Sequence, residues 1–201
     1  MKCNRLFSTI SLALVFLFAI DSFEAEGGNA RLELEKKGYN FSESSFIDCA
    51  EKGDIEAAKM FISEGININA CDKEGQSALM RASLFGHTDM VGLLLEKGAN
   101  IKIRSKETQS TALMEAVAGN HVDVIRLLAQ NGADVNERDV LNRTPLHVAC
   151  MWGFVEVADL LIELGAKTDA LDMTDQTPLM VAEQNGNSNM VEFLKSAGVK
   201  K

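Results

Sequence analysis

Between Asp139 and Ala170 the apolar residues fall into two blocks parted by a glycine, and the spacing inside each block predicts a helix. Leu146, Ala149 and Cys150 share one face of a short first helix. Thr144 opens it as a capping hydroxyl, and Pro145 sits at the first helical position, where a missing N–H costs nothing. Gly153 stops this helix after about two turns. Val155, Val157, Ala158, Leu160, Leu161 and Ile162 then recur at the helical period of a longer second helix, which Gly165 ends in a left-handed cap. An extended piece, Ala166 to Leu171, leads into Asp172, where the same signals begin again.

The pattern repeats along the chain. With Leu146 as the reference, the register runs Phe46, Leu79, Leu113, Leu146, Leu179, a spacing of about 33 residues with one extra residue before Leu113. The glycine after the second helix returns at Gly65, Gly98, Gly132, Gly165 and Gly198. The one between the helices returns at Gly53, Gly86, Gly153 and Gly186, with Asn120 in its place once. Asn is the side chain that best tolerates positive φ after glycine, so the register holds through that substitution. The units run approximately 44–71, 72–104, 105–138, 139–171 and 172–201.

The stretch TPLHVACMWGFVEVADLLIELGA resembles an ankyrin repeat. The copies at Thr177 (TPLM), Thr111 (TALM) and Ser77 (SALM) keep the frame but lose the histidine, so the resemblance implies the family's Thr–His hydrogen bond only at Thr144 and His147. It also implies an all-α ankyrin-repeat solenoid, helix-turn-helix units joined by short hairpin-like connections, that binds protein and performs no catalysis.

The ends depart from the pattern. Met1 to about Ala25 carries Lys2 and Arg5, then an uncharged apolar run from Leu6 to Ile20, then small and polar residues, the layout of a secretory signal peptide. The apolar run is shorter than the roughly 20 residues a spanning helix needs. Cleavage after Ala25 or Gly27 is expected, with an uncleaved membrane anchor as the alternative. Residues 26–43 read as a polar lead-in, in which Arg31 to Lys37 forms one exposed helical piece ending at Gly38. Ser44 and Ser45 are expected to cap the first helix of the repeat domain, residues 44–201. Its opening unit is made polar by Asp48, Glu51, Lys52 and Glu56, and its last by Glu183, Gln184, Asn185, Asn187, Ser188 and Asn189. A stack of repeats needs such wettable ends.

Charge and chemistry narrow the function. The net charge of −9, with no basic stripe, argues against nucleic acid, whose binding rests on neutralising phosphates, and against anionic lipid. Outside the leader the cysteines are Cys49, Cys71 and Cys150, an odd number without a CxxC pair. Cys49 and Cys150 fall at small core positions, three repeats apart and too distant to bridge. Cys71, at a hairpin junction, is the single candidate for a reactive thiol, and an inert one is the weightier reading. His87 and His121 share one slot after the inter-helix turn and His147 is the motif histidine, so architecture explains all three. No metalloprotease, nucleophile-elbow, phosphate-loop or dinucleotide motif occurs, and neither a cofactor, a metal nor a small-molecule substrate is expected.

What remains is a surface. The resemblance places the variable positions at the hairpin tips and at the ends of the first helices. They are Lys73, Glu74, Gln76, Leu84 and Phe85; Glu107, Thr108, Ser110, Ala118 and Gly119; Val140, Leu141, Arg143, Met151 and Trp152; and Met173, Thr174, Gln176, Gln184 and Asn185. Among them Leu84, Phe85, Val140, Leu141, Met151, Trp152 and Met173 are apolar where solvent favours polar groups, and Arg143 lies beside them. This strip is the candidate partner-binding site; the competing reading is that Met151 or Leu84 tucks against the next repeat and Trp152 lies over its own hairpin. The extra residue between Ile103 and Leu113 lengthens the hairpin tip beside it. The chain is thus expected to be an exported module that binds or inhibits another protein. The alternative is a membrane-tethered scaffold that displays the array on an uncleaved leader.

Overall fold

The computed structural model describes residues 29–199; the leader, residues 1–25, lies outside the described residues. A helix over 29–36, α1, is followed by five helix pairs. They are α2 (Glu43–Lys52) with α3 (Ile55–Ser63), α4 (Ala78–Leu84) with α5 (Thr88–Glu96), α6 (Ala112–Ala118) with α7 (Val122–Gln130), α8 (Pro145–Trp152) with α9 (Val155–Glu163), and α10 (Pro178–Gln184) with α11 (Ser188–Ser196). The first helices pack in one row, α2 on α4 on α6 on α8 on α10, and α5, α7, α9 and α11 form a second row behind it.

The apolar register is what joins the rows. Phe46, Leu79, Leu113, Leu146 and Leu179 are all buried, as are Phe61, Leu94, Leu128, Leu161 and Leu194 one layer back. Each belongs to a helix too short to be stable alone, so the pairs hold their shape only by covering one another's apolar faces. Capping follows the same period: Ser77, Thr111 and Thr177 accept the backbone N–H of Met80, Met114 and Met180.

The amino-terminal end is built differently from the expected polar lead-in. Leu34 in α1 is completely buried and Tyr39 nearly so. Phe61 receives Tyr39 edge-on at 6.0 Å and Phe41 stacked at 5.8 Å, while the Arg31 guanidinium lies 4.6 Å over the Phe41 ring. Arg31 also pairs with Glu64 at 2.7 Å, and Lys37 with Asp54 at 2.9 Å. Residues 31–41 therefore dock on the first repeat as its cover, and polarity on one face concealed an apolar face on the other. The first cap is Ser42, which accepts the Ser45 N–H, rather than Ser44 or Ser45.

Two turns demand left-handed backbone in every unit, and Asn120 meets that demand at φ 60°, where its counterparts are glycine. Gly86 is required twice over: a β-carbon there would stand 2.4 Å from the His121 ring. Gly165, at φ 90°, has open space where a β-carbon would be, so any cost of substitution there is conformational alone. Gly165→Val should therefore lower unfolding free energy by about 1–3 kcal/mol, whereas Asn120→Gly should stay within about 0.5 kcal/mol of the parent. Urea titration followed by circular dichroism measures both.

Candidate functional site

Three of the four hairpin tips are closed by one carboxylate each. Asp72, Asp139 and Asp172 accept, through Oδ1, the backbone N–H of Gln76, Arg143 and Gln176 at 2.8, 2.8 and 3.0 Å. In the second tip Ser105 Oγ does the same for Ser110 at 3.0 Å, one residue further on. The extra residue is taken up there, with Gln109 at φ 56° and its amide donating to the Ser105 carbonyl. Successive tips are tied into a continuous edge, for Lys106 N–H donates to Glu74 O, Val140 N–H to Thr108 O and Met173 N–H to Leu141 O, at 2.8–3.0 Å. Repeating backbone bonds of this kind hold the tips in fixed relation to the row of first helices, so tips and helices make one groove.

The candidate residues occupy two levels of that groove. Val140, Leu141 and Met173 are exposed on the tip edge; Phe85 and Trp152 are exposed at the far ends of α4 and α8. Trp152 is 61% exposed, so the greater part of its side chain is uncovered by the chain itself. Leu84 and Met151 are half-buried between the two levels. Arg143 bridges them, its guanidinium held by Asp139 at 2.7 and 2.8 Å and reaching to 4.0 Å from the Met151 sulfur. In the fourth repeat Leu141, Arg143, Met151 and Trp152 therefore cross the groove from edge to edge, a span of about 12 Å for the eight residues of α8. Gly119 is not a free surface position: a β-carbon there would lie 2.3 Å from the Leu84 carbonyl oxygen.

The groove floor contains residues outside the sequence-derived set. Two residues beyond each register leucine stand Arg81, Glu115, Val148 and Val181, so the floor is charged toward one end and apolar toward the other. Arg81 pairs with Asp72 at 3.2 Å and Glu51 at 3.8 Å. Among the described residues Glu115 takes a hydrogen bond from the Gln76 amide, at 3.5 Å, and burial pushes its carboxyl above the usual range against the opposing effects of that bond and of the Arg81 charge. Beside Arg81 a cleft of about 510 Å³ opens between α2 and the first tip, lined by Glu43, Asp48, Glu51, Asp72 and Glu74 against Lys73 and Arg81. Varying chemistry at a position followed in each of these repeats by an alanine, Ala82, Ala116, Ala149 and Ala182, was the available sequence signal for this floor.

The histidines are structural. His87 Nε2 donates to Glu51 O at 2.7 Å and His121 Nε2 to Leu84 O at 2.9 Å, each closing the end of the preceding first helix. Asn187 does this for Cys150 and Met151, and Phe154 fills the slot in between. Thr144 N–H donates to His147 Nδ1 at 3.1 Å, which leaves the proton on Nε2 to donate to Gln176 O at 3.1 Å. Burial pushes the buried Cys49 and Cys150 thiols up to about 12. Cys71 is exposed, yet partial burial and then Asp72 raise its thiol as well, so it is a poorer nucleophile than its exposure suggested.

Burial also lowers the His147 pKa. Its contribution to stability is therefore whole above the unfolded value of about 6.5 and is lost as pH falls from there toward the lowered folded value, because the unfolded chain takes up the proton first. Between about pH 7.5 and pH 5.5 the parent should lose more unfolding free energy than His147→Gln does; equal losses in urea titrations would remove this account.

Residues 46–139 and 138–201 match the family described as ankyrin repeats (3 copies). Over 58 residues, 29% of each chain, the protein is 34% identical to the Escherichia coli ankyrin repeat protein YahD. Over 60 residues it is 42% identical to an ankyrin repeat-containing protein of Saccharomyces cerevisiae, a match covering 30% of this chain and 11% of the relative. It is 46% identical over 56 residues to an E3 ubiquitin-protein ligase of Drosophila melanogaster, covering 27% of this chain and 2% of that protein. The matches span less than a third of each of these relatives.

Proposed function

This chain belongs to the ankyrin-repeat family, whose repeats generally mediate protein–protein interaction, and we propose that it is a non-enzymatic, exported module that holds or inhibits one partner protein in its concave groove. One observation carries the reading. A ribbon of Leu141, Arg143, Met151 and Trp152 crosses the groove while contributing no residue to the buried register that joins the repeats. Large side chains left in water are worth about 1.5–3 kcal/mol each when a partner covers them. The backbone beneath is already ordered, so little is lost on association. Export rests on the charge and apolar layout of residues 1–25, and intact mass of the purified native protein tests it, cleavage removing about 25 residues.

The groove is tested by affinity capture from native extract with three baits. Trp152→Ala with Leu141→Ser should keep the helical signal and melting point, yet bind the captured partner more weakly by over about 2 kcal/mol. Glu156→Ala with Asp159→Ala, on exposed positions of α9, should match the parent in both. A tryptophan variant that melts far below the parent would make the ribbon packing rather than recognition.

A further inference from the structure

The groove carries an asymmetry of charge that a general protein-binding role does not require. Its two arginines are both ion-paired: Arg143 is held by Asp139, and Arg81 by Asp72 and Glu51, with the Arg81 Nε buried and out of reach of a ligand. The tip lysines Lys73 and Lys106 each stand next to a glutamate in sequence, Glu74 and Glu107, and Lys106 Nζ is turned onto the Lys73 carbonyl at 3.0 Å. Glu115 is the exception, a half-buried carboxylate in the floor that takes one long amide hydrogen bond from Gln76 and feels the Arg81 charge without forming an ion pair among the described residues. The acidic cleft beside Arg81 continues the same sign toward the amino-terminal end. On the other side α6 packs directly against α8, which carries Trp152.

Resting on the reading above, we infer that the occupant of the groove is a protein segment with a Lys or Arg side chain set on Glu115 and an aromatic or aliphatic side chain set on Trp152 and Leu141. Neighbouring helices lie about 8–10 Å apart, and Glu115 stands about four residues nearer the start of its helix than Trp152 does. The two anchors are then on the order of 10 Å apart, the reach of about three extended residues. An acidic segment would meet Glu115, Asp139 and the cleft carboxylates with no free floor cation to receive it. A partner cation instead gives a desolvated carboxylate the ion pair it lacks within the chain.

Selection of a display library of random linear peptides on the full-length chain tests this. Enriched peptides should carry Lys or Arg two to four residues from a Trp, Phe, Tyr or Leu. They should bind Glu115→Gln at least about tenfold more weakly at unchanged melting temperature. Glu115→Lys should regain binding to the peptide whose basic residue is replaced by Glu, which a purely structural role for Glu115 would not produce. Enriched peptides without basic residues, or ones that lose binding with Trp152→Ala but not with Glu115→Gln, would overturn the inference and leave the protein-binding reading standing. Failure to enrich any peptide also overturns it. Failure of the native-extract capture is what removes the underlying reading.

Discussion

No repeat of this chain can cover its own apolar face, and everything else in the structure follows from that shortage. Helices of seven to ten residues have little intrinsic stability, so each pair is held by the leucine or phenylalanine of its neighbours at Phe46, Leu79, Leu113, Leu146 and Leu179. The need to stack then dictates the smaller features. Gly86 is small because the next repeat's His121 presses on it; His121 presses there because the end of α4 needs a donor. Gly119 is small for the same contact seen from the other side. At the amino-terminal end, where no preceding repeat exists among the described residues, α1 and the rings of Tyr39 and Phe41 supply the missing cover.

Stacking governs one face of each unit and leaves the groove unconstrained, which is why the fold was readable and the site only partly so. A 33-residue register, five closing glycines and a TPLH motif are local signals, and each reports a steric requirement that one residue type meets. Asn120 shows the logic at its sharpest, since a substitution that seems to break the pattern satisfies the same backbone angle. The α1 cover is hard to read because Leu34 is set among charges, and the target of Tyr39 and Phe41, Phe61, lies about twenty residues on in α3. Exposure at Phe85, Val140, Leu141, Trp152 and Met173 could be inferred from repeat position alone. That Arg143 is spent on Asp139 could not, nor that Glu115 is left half-buried without an ion pair. The first depends on how one tip folds, bringing Arg143 back onto Asp139 four residues away, and the second on side chains from different repeats, Gln76 and Glu115, converging; repeat position carries neither.

The division between stacking face and groove also explains why the comparisons identify the family but no partner. The family match spans residues 46–139 and 138–201, whereas the tips, and the position two beyond the register leucine in the first two of its four copies, vary within this chain. Arg81, Glu115, Val148 and Val181 occupy equivalent places, yet they run from a cation through an anion to two apolar residues. Specificity in such an array is a property of the sequence of floors and tips, laid out on spacings that the stack imposes. The row of tip hydrogen bonds from Glu74 to Met173 holds those spacings rigid, including across the lengthened second tip.

Trp152 is the chain's single tryptophan, so its fluorescence reports on the groove without labelling. The direct measurement is its emission maximum and its quenching by acrylamide, in the free protein and with a saturating groove ligand. The account predicts emission close to that of indole in water and ready quenching in the free state, then a blue shift and protection on binding. Blue-shifted, quench-resistant emission in the free protein would contradict it, as would an unchanged spectrum once the ligand is bound.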